Sequence, residues 1–242
     1  MSSGFYTTYL GMQARQDAMD VVANNLANVN TTGFKTDNPF FSAYQNALDN
    51  PASQTNIDKS TQLENIKTDF STGSFRSTGR ELDVAIEGDG FFVVNTPSGE
   101  RYTRDGSFTL NSNGQLVTEQ GYQVIGQGGP ITVPPGAVTI DPAGDISVNG
   151  QSIGTLRIVK FANNASLRKE GNNVFQQTDS KMQAVAVQYP NIQQGQLESS
   201  NVNAIKEMVT MMKYMREFES LQKVLTSMNN DTNSSQMGRL SS

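Results

Sequence analysis

The chain contains no cysteine, no histidine and no tryptophan. It therefore has no thiol nucleophile, no imidazole base, no disulfide framework and no Cys/His zinc site. Charge is sparse as well. Only 17% of the 242 residues are charged, 18 basic against 23 acidic. A mild acidic excess argues against nucleic-acid binding, which needs clustered Lys and Arg to track phosphates. The longest apolar runs, at 91–94 and 184–187, are far short of the ~18 residues of a membrane span, so no membrane insertion is expected. The first twenty residues, MSSGFYTTYLGMQARQDAMD, carry neither a basic n-region nor an apolar core, so no cleaved secretory signal is expected. Uncharged polarity fills the gap: Asn, Gln, Ser and Thr make up roughly a third of the chain, above the usual mix. Such side chains hydrogen-bond well and repel little, which suits a chain with many neighbours.

Helical periodicity marks both ends. Phe5, Met12, Met19 and Leu26 recur every seven residues. Tyr9, Val22 and Val29 partly fill a second seam, and Arg15 and Gln16 interrupt it. This is a coiled-coil-like stripe. The stretch 28–33, NVNTTG, predicts its stop, because Asn and Gly tolerate left-handed backbone. Near the other end Ala204, Met208, Met211, Met215, Phe218 and Leu225 follow a 3–4 spacing. Ile205, Met212, Leu221 and Met228 widen that stripe, and Gln222 breaks it. Ser199, Ser200 and Asn201 read as its cap, and Glu207 sits early, where a helix N-terminus favours acid. Residues 229–242 read as a small polar tail.

Between the ends the period is two. Leu82, Val84 and Ile86 alternate with Asp83, Ala85 and Glu87. Asp105-Gly106 and Asn113-Gly114 read as hairpin turns, and strands are expected near 138–140, 146–148, 152–161, 174–176 and 183–189. Short strands with frequent turns predict a sandwich or barrel-like domain. The stretch 34–70 is polar, with Pro39 and Pro51 as punctuation, Phe40, Phe41 and Tyr44 as anchors, and room for a short helix at 41–48. The expected fold is α+β, with long N- and C-terminal helices pairing as a coiled coil and a central all-β domain. Its parts are an N-terminal helix (1–33), an extended polar connector (34–70), the β domain (71–190) and a C-terminal helix and tail (191–242). Helices packing on the β domain are the plainer alternative. The long, Met-rich stripes favour pairing, since neither helix buries its own stripe and Met packs adaptably.

Catalytic chemistry has little to stand on. Asp83, Glu87 and Asp89 form the best carboxylate cluster, and two carboxylates so spaced can serve hydrolysis. The polar face of an edge strand and a Gly-Asp-Gly turn account for all three. They lack calcium-loop spacing, and Gly126, Gly128 and Gly129 are followed by no Lys-Ser/Thr and no helix, so they make no phosphate loop. No enzyme activity, metal or cofactor is expected.

The motifs carry more. At 23–35 stands ANNLANVNTTGFK, and at 194–203 QGQLESSNVN, followed by EMV at 207–209 and REFE at 216–219. GRELDVAIEGDGFFVV occupies 79–94 and YTRDGSF 102–108. Together they resemble the bacterial flagellar axial proteins of rod and hook, over nearly the whole chain. Hook proteins are longer through an extra β domain, and the shortest rod proteins lack a large one. The stretch 126–134, GQGGPITVP, is similar to the proximal-rod member, and the length leans the same way. The distal-rod member is the alternative, and the first six residues fit neither cleanly. A secreted β-domain binding module or enzyme with helical arms is the reading from another class.

The resemblance implies a structural subunit of the flagellar rod, the drive shaft of the basal body. It implies polymerisation with copies of itself and other rod proteins in the periplasm, after passage through the flagellar type III export apparatus without signal cleavage. The expected subunit contacts are Phe5, Tyr9, Met12, Met19, Val22 and Leu26 on the first helix. Asn24, Asn25, Asn28, Gly33 and Phe34 come from the motif that follows. Asn201, Val202, Ile205, Met208, Met211, Met212, Met215, Phe218 and Leu225 come from the C-terminal segment.

Overall fold

A computed structural model of the chain describes residues 3–45, 59–179 and 182–240. The architecture is α+β, with a helix at each end and strands between. Helix α1 spans Ser3–Ala27. Strands β1 (Asp37–Gln45), β2 (Lys59–Thr68), β3 (Phe75–Ser77), β4 (Val84–Glu87), β5 (Phe91–Thr96), β6 (Gly99–Thr103) and β7 (Phe108–Leu110) follow. Then come β8 (Leu116–Thr118), β9 (Gln123–Gly126), β10 (Gly129–Pro130), β11 (Val138–Ile140), β12 (Asp145–Val148) and β13 (Gln151–Thr155). The last strands are β14 (Ile158–Lys160), β15 (Leu167–Gly171), β16 (Val174–Gln177), β17 (Val185–Ala186), β18 (Asn191–Gln194) and β19 (Gln196–Glu198). Helix α2 closes the chain at Ala204–Leu240. Two compact units result. One gathers Met1–Ala27, Asp37–Lys67 and Asn203–Ser242, the other Asn28–Thr36 and Thr68–Val202.

In the first unit α1 and α2 pack antiparallel, and side chains fix the register. A methyl on Gly4 would sit 3.6 Å from Met228 Cε, and one on Gly11 3.5 Å from Leu221 Cδ1. Arg15 Nε lies 2.7 Å from Glu217 Oε2, and Asn25 Nδ2 donates to Glu207 Oε2 at 3.3 Å. As the α1 number climbs from 4 to 11, 15 and 25, its partner falls by the same steps. The buried line of α1 is Ala14, Ala18, Val22 and Asn25, spaced by four, four and three residues as one helix face requires. Small side chains thus make the seam, and the larger Met12, Met19 and Leu26 of the expected heptad are only half-buried beside it. The connector region holds the pair β1–β2. The helix expected at 41–48 gives way to strand over 41–45, where aromatics and the edge-tolerant Pro39 suit a two-stranded ribbon; 46–48 lie outside the described residues.

The second unit is built on a ten-stranded sheet whose main path runs β15-β16-β6-β5-β9-β8-β7. Its central strand β5 is buried on both faces. Phe92 and Val94 enter one core with Val84, Phe108 and Leu116. Phe91 and Val93 enter a second with Tyr102, Phe161 and Phe175. Strand alternation explains why FFVV reads as an unbroken apolar run. The second core is aromatic, with edge-on pairs such as Phe91–Phe175 at 5.8 Å and Tyr102–Phe161 at 4.8 Å.

Turn chemistry departs from expectation at one point. Asn113-Gly114 closes the β7–β8 hairpin, with Gly114 at φ +72°. Asp105-Gly106 closes none, since β6 and β7 are not neighbours. It makes a buried corner, where a Cβ on Gly106 would fall 1.7 Å from the Val84 carbonyl oxygen. The expected strand 152–161 splits into β13 and β14, which join different sheets, and 183–189 shrinks to β17. Residues 191–198, grouped with the C-terminal helix by periodicity, form β18 and β19, which pair with β4 and β3. The helix itself starts later and runs through the expected tail.

Candidate functional site

The helical unit carries most of the sequence-predicted contact residues, and its geometry sorts them. Val22 and Asn25 are buried in the seam. Asn25 does not reach outward: Nδ2 donates to the Asp37 carbonyl at 2.8 Å, and Oδ1 accepts from Asp37 N at 3.0 Å. With Glu207 this closes a polar node inside the unit. Met211, Phe218 and Leu225 are half-buried, like Met12, Met19 and Leu26. Phe5 and Tyr9 are exposed, as are Ile205, Met208, Met212 and Met215. Asn24 is also exposed, while Asn28 accepts from Thr31 Oγ1 at 3.1 Å. The cap of α2 is Asn203, two residues past the expected group, with Oδ1 accepting from Lys206 N at 3.1 Å.

The other predicted residues lie in the second unit, where the two terminal motifs meet. Gly33 has φ +67°, and its N–H donates to the Glu198 carbonyl at 2.7 Å. A Cβ there would lie 2.6 Å from the Arg104 backbone, so only glycine fits. Phe34 is buried, with Lys169 Nζ 3.8 Å from its ring centroid. Asn201 Oδ1 accepts from Thr36 N and Oγ1 at 2.7 and 2.8 Å, and its Nδ2 donates to the Asp69 carbonyl at 2.9 Å. Val202 is buried beside it.

At the centre of that meeting is a charged clasp that no sequence pattern singled out. Lys35 Nζ donates to Glu198 Oε1 at 2.6 Å and to the Ser71 carbonyl at 2.7 Å. Arg104 Nη1 reaches Glu198 Oε2 at 3.4 Å, and its Nη2 donates to the Gly88 carbonyl at 2.7 Å. Gly73 N adds a bond to Glu198 Oε1 at 2.9 Å. Lys35 is 0%, Glu198 1% and Arg104 3% exposed, so two cations share one carboxylate away from water. Burial pushes the Lys35 ammonium below the ordinary lysine value, and the adjacent Glu198 opposes that shift. All three residues stand inside the quoted motifs, Lys35 ending the first, Arg104 within YTRDGSF and Glu198 within QGQLESSNVN.

The suggested carboxylate cluster does not assemble. Asp83 is buried, with Arg80 Nε 3.6 Å away. Glu87 and Asp89 are exposed, and Glu87 Oε2 accepts from Asn191 and Gln193. The edge-strand account fails for Asp83, whose backbone bridges to Ser107 and turns the side chain inward. Among the described residues no group of three or more acidic side chains gathers as a metal site would need. No described helix is long and apolar enough to cross a membrane.

Comparison with known proteins reports on the same segments. Residues 5–35 match the family described as flagella basal body rod protein. Residues 85–148 match the flagellar hook protein FlgE/F/G D1 domain, and 193–235 the flagellar basal body rod FlgEFG protein C-terminal family. The flagellar basal-body rod protein FlgG of Borreliella burgdorferi is 36% identical, over 95% of this chain and 96% of its own. The chain belongs to the flagellar basal-body rod protein family. FlgG of Buchnera aphidicola is 35% identical over 90% of this chain and 93% of its own, and FlgF of Caulobacter vibrioides 33% over 93% of each. This rod-family chain is a structural subunit of the basal-body rod, and two of the three family matches each cover part of the helical pair.

Proposed function

We propose that the antiparallel helix pair is the polymerising element of this rod subunit. The observation that carries the reading is the exposure of large apolar side chains on its outer faces, Ile205 and Met208 among them. A folded chain leaves such side chains in water when another protein is to cover them. The pair meshes as a coiled coil, and the remaining predicted contact residues seat copies of this chain and other rod proteins. Within segments 1–33 and 191–242 the helices α1 and α2 serve as the axial parts, 34–70 as the connector, and the β domain at 71–190 meets neighbouring rod subunits. The subunit passes the flagellar type III export apparatus without signal cleavage and is laid down in the periplasmic part of the basal body. It catalyses nothing.

Within the rod we place it in the proximal segment, on the 126–134 stretch. The distal segment is the second reading. Deleting the gene and imaging where rod growth stops separates the two. Replacing Met12 or Met211 with Asp tests the polymerising role: export continues and motility is lost. Normal swimming by both variants would contradict the reading.

A further inference from the structure

The outer face of each helix is apolar over one half only, and the halves are opposite. On α1, Phe5, Tyr6 and Tyr9 are 48–63% exposed and fall within an arc of about 100°. That arc points about 180° away from the face that packs on α2. Further along the same outer face stand Gln13, Gln16, Asp20 and Asn24, all exposed. On α2, Ile205, Met208, Val209, Met212 and Met215 are 47–77% exposed. They span an arc of about 120°, again centred opposite the packing face. From there that outer face continues with Glu219, Gln222, Lys223 and Thr226.

The register fixes how these patches lie along the pair. Tyr9 is level with Lys223, and the start of α2 is level with the end of α1. The centres of the two patches are therefore about 15 residues apart, or about 22 Å along the axis. They also look in opposite directions across the pair. Resting on the rod-subunit reading, we propose that the aromatic patch of one copy docks on the methionine patch of a second, displaced by about 22 Å along the helix axis.

Three observations single out that occupant. A second copy without the displacement would set Phe5, Tyr6 and Tyr9 against Ser227, Thr226 and Lys223, and desolvate those polar groups without partners. With the displacement, aromatic rings meet thioethers, a favourable and adaptable contact. Because the patches face opposite ways, two copies cannot satisfy both at once by a two-fold axis. Each copy engages one neighbour per patch, and a contact with net axial displacement repeats as an open helical array. The area agrees. The three aromatics expose roughly 250–400 Å², so one contact falls below the ~1,200 Å² of a stable isolated complex. The contact holds in an array and not in a free dimer.

The absence of native cysteine gives the test a clean background. A full-length Tyr9→Cys chain carrying a size tag is mixed with an untagged Met208→Cys chain and treated with a short bismaleimide under assembly conditions. Phe5→Cys with Met212→Cys is a second pair of the same displacement, and Thr226→Cys is the control partner. The expected result is Tyr9–Met208 and Phe5–Met212 heterodimers at least tenfold above Tyr9–Thr226. A single chain with both Tyr9→Cys and Met208→Cys should give a ladder of crosslinked oligomers. Dominant Tyr9–Tyr9 products, or equal yield with the control, overturn the proposal. If filaments form while crosslinks follow Thr226, the displaced pairing fails and the rod-subunit reading stands. If neither filaments nor crosslinks form, both fail.

Discussion

The clasp makes an asymmetric prediction, because its charges do not balance. Glu198→Gln keeps the shape and an acceptor for Gly73 N, yet leaves Lys35 and Arg104 buried with no anion. Removing one partner of a buried pair costs about 3–5 kcal/mol. Lys35→Met leaves Glu198 paired with Arg104 and bonded by Gly73 N, and takes one of two donors from the Ser71 carbonyl, which keeps Asn201 Nδ2 at 3.1 Å. One lost bond to a charged group costs about 1.5–3 kcal/mol. The carboxylate change should therefore exceed the lysine change by about 2 kcal/mol. Both are large against a total stability of about 5–15 kcal/mol. Urea titration followed by tyrosine emission reads the difference, since the chain has no tryptophan. The pH dependence carries a sign too. Burial holds the folded-state Lys35 below its ordinary value of 10.5. As pH rises from that lowered value toward 10.5, the unfolded chain binds more protons than the folded one, so stability rises with pH across this window. The rise should begin at lower pH and be larger in total in Glu198→Gln, where only Asp69 is left to oppose proton loss. Equal costs for the two substitutions, or a larger cost for Lys35→Met, would refute a clasp organised around one carboxylate.

Three other perturbations follow from single contacts. Gly33 and Gly79 share nearly the same φ, +67° and +69°, but a Cβ meets backbone at 2.6 Å on Gly33 and nothing within 4 Å on Gly79. Gly79→Ala should cost about 1 kcal/mol of backbone strain, and Gly33→Ala several times that; thermal melts with similar losses would show that the close approach is unimportant. Burial raises the Asp105 carboxyl above its ordinary value of 3.8. Its contribution is therefore present at low pH and lost as pH rises through the raised value. Asp105→Asn keeps the acceptor for Ser107 N and Oγ, so its stability relative to the parent should improve as pH climbs from 3 to 7, and a flat difference would contradict this. Asn25→Ala removes the bonds to Asp37 and Glu207 and should cost about 1–3 kcal/mol, read as earlier loss of helical circular dichroism on heating.

Much of the fold was legible because its signals are local. Helix periodicity at both ends, FFVV at β5 and Asn113-Gly114 each report geometry through neighbours in the chain. The misreadings arise where distant backbone decides. Asp105-Gly106 looks like a hairpin turn, yet its glycine is needed because the Val84 carbonyl passes 1.7 Å from where a Cβ would stand. No pattern within seven residues encodes that approach. Asn149-Gly150, with φ of +52° and +81°, does form the β12–β13 turn and carries the same dipeptide signal, unremarked among the many glycines.

The contact residues divide along the same line. Heptad counting finds large apolar side chains and assigns them to the seam, but of those only Val22 is fully buried there, beside Ala14, Ala18, Asn25 and two glycines. Small residues allow close approach of two backbones, and that displaces the large side chains to the flanks and the outside. An α1 stripe of Phe, Tyr and Met was thus visible, and which of them faces water was not. The clasp was hidden for another reason. Lys35 and Glu198 are 163 positions apart, and a lone lysine or glutamate in a polar sequence is ordinarily solvated. Only the burial of both shows that the chain spends desolvation to join its two motifs. A cluster of two cations and one anion gains its stability from being complete. It therefore discriminates against any partly folded chain in which residue 198 has not yet met residue 35.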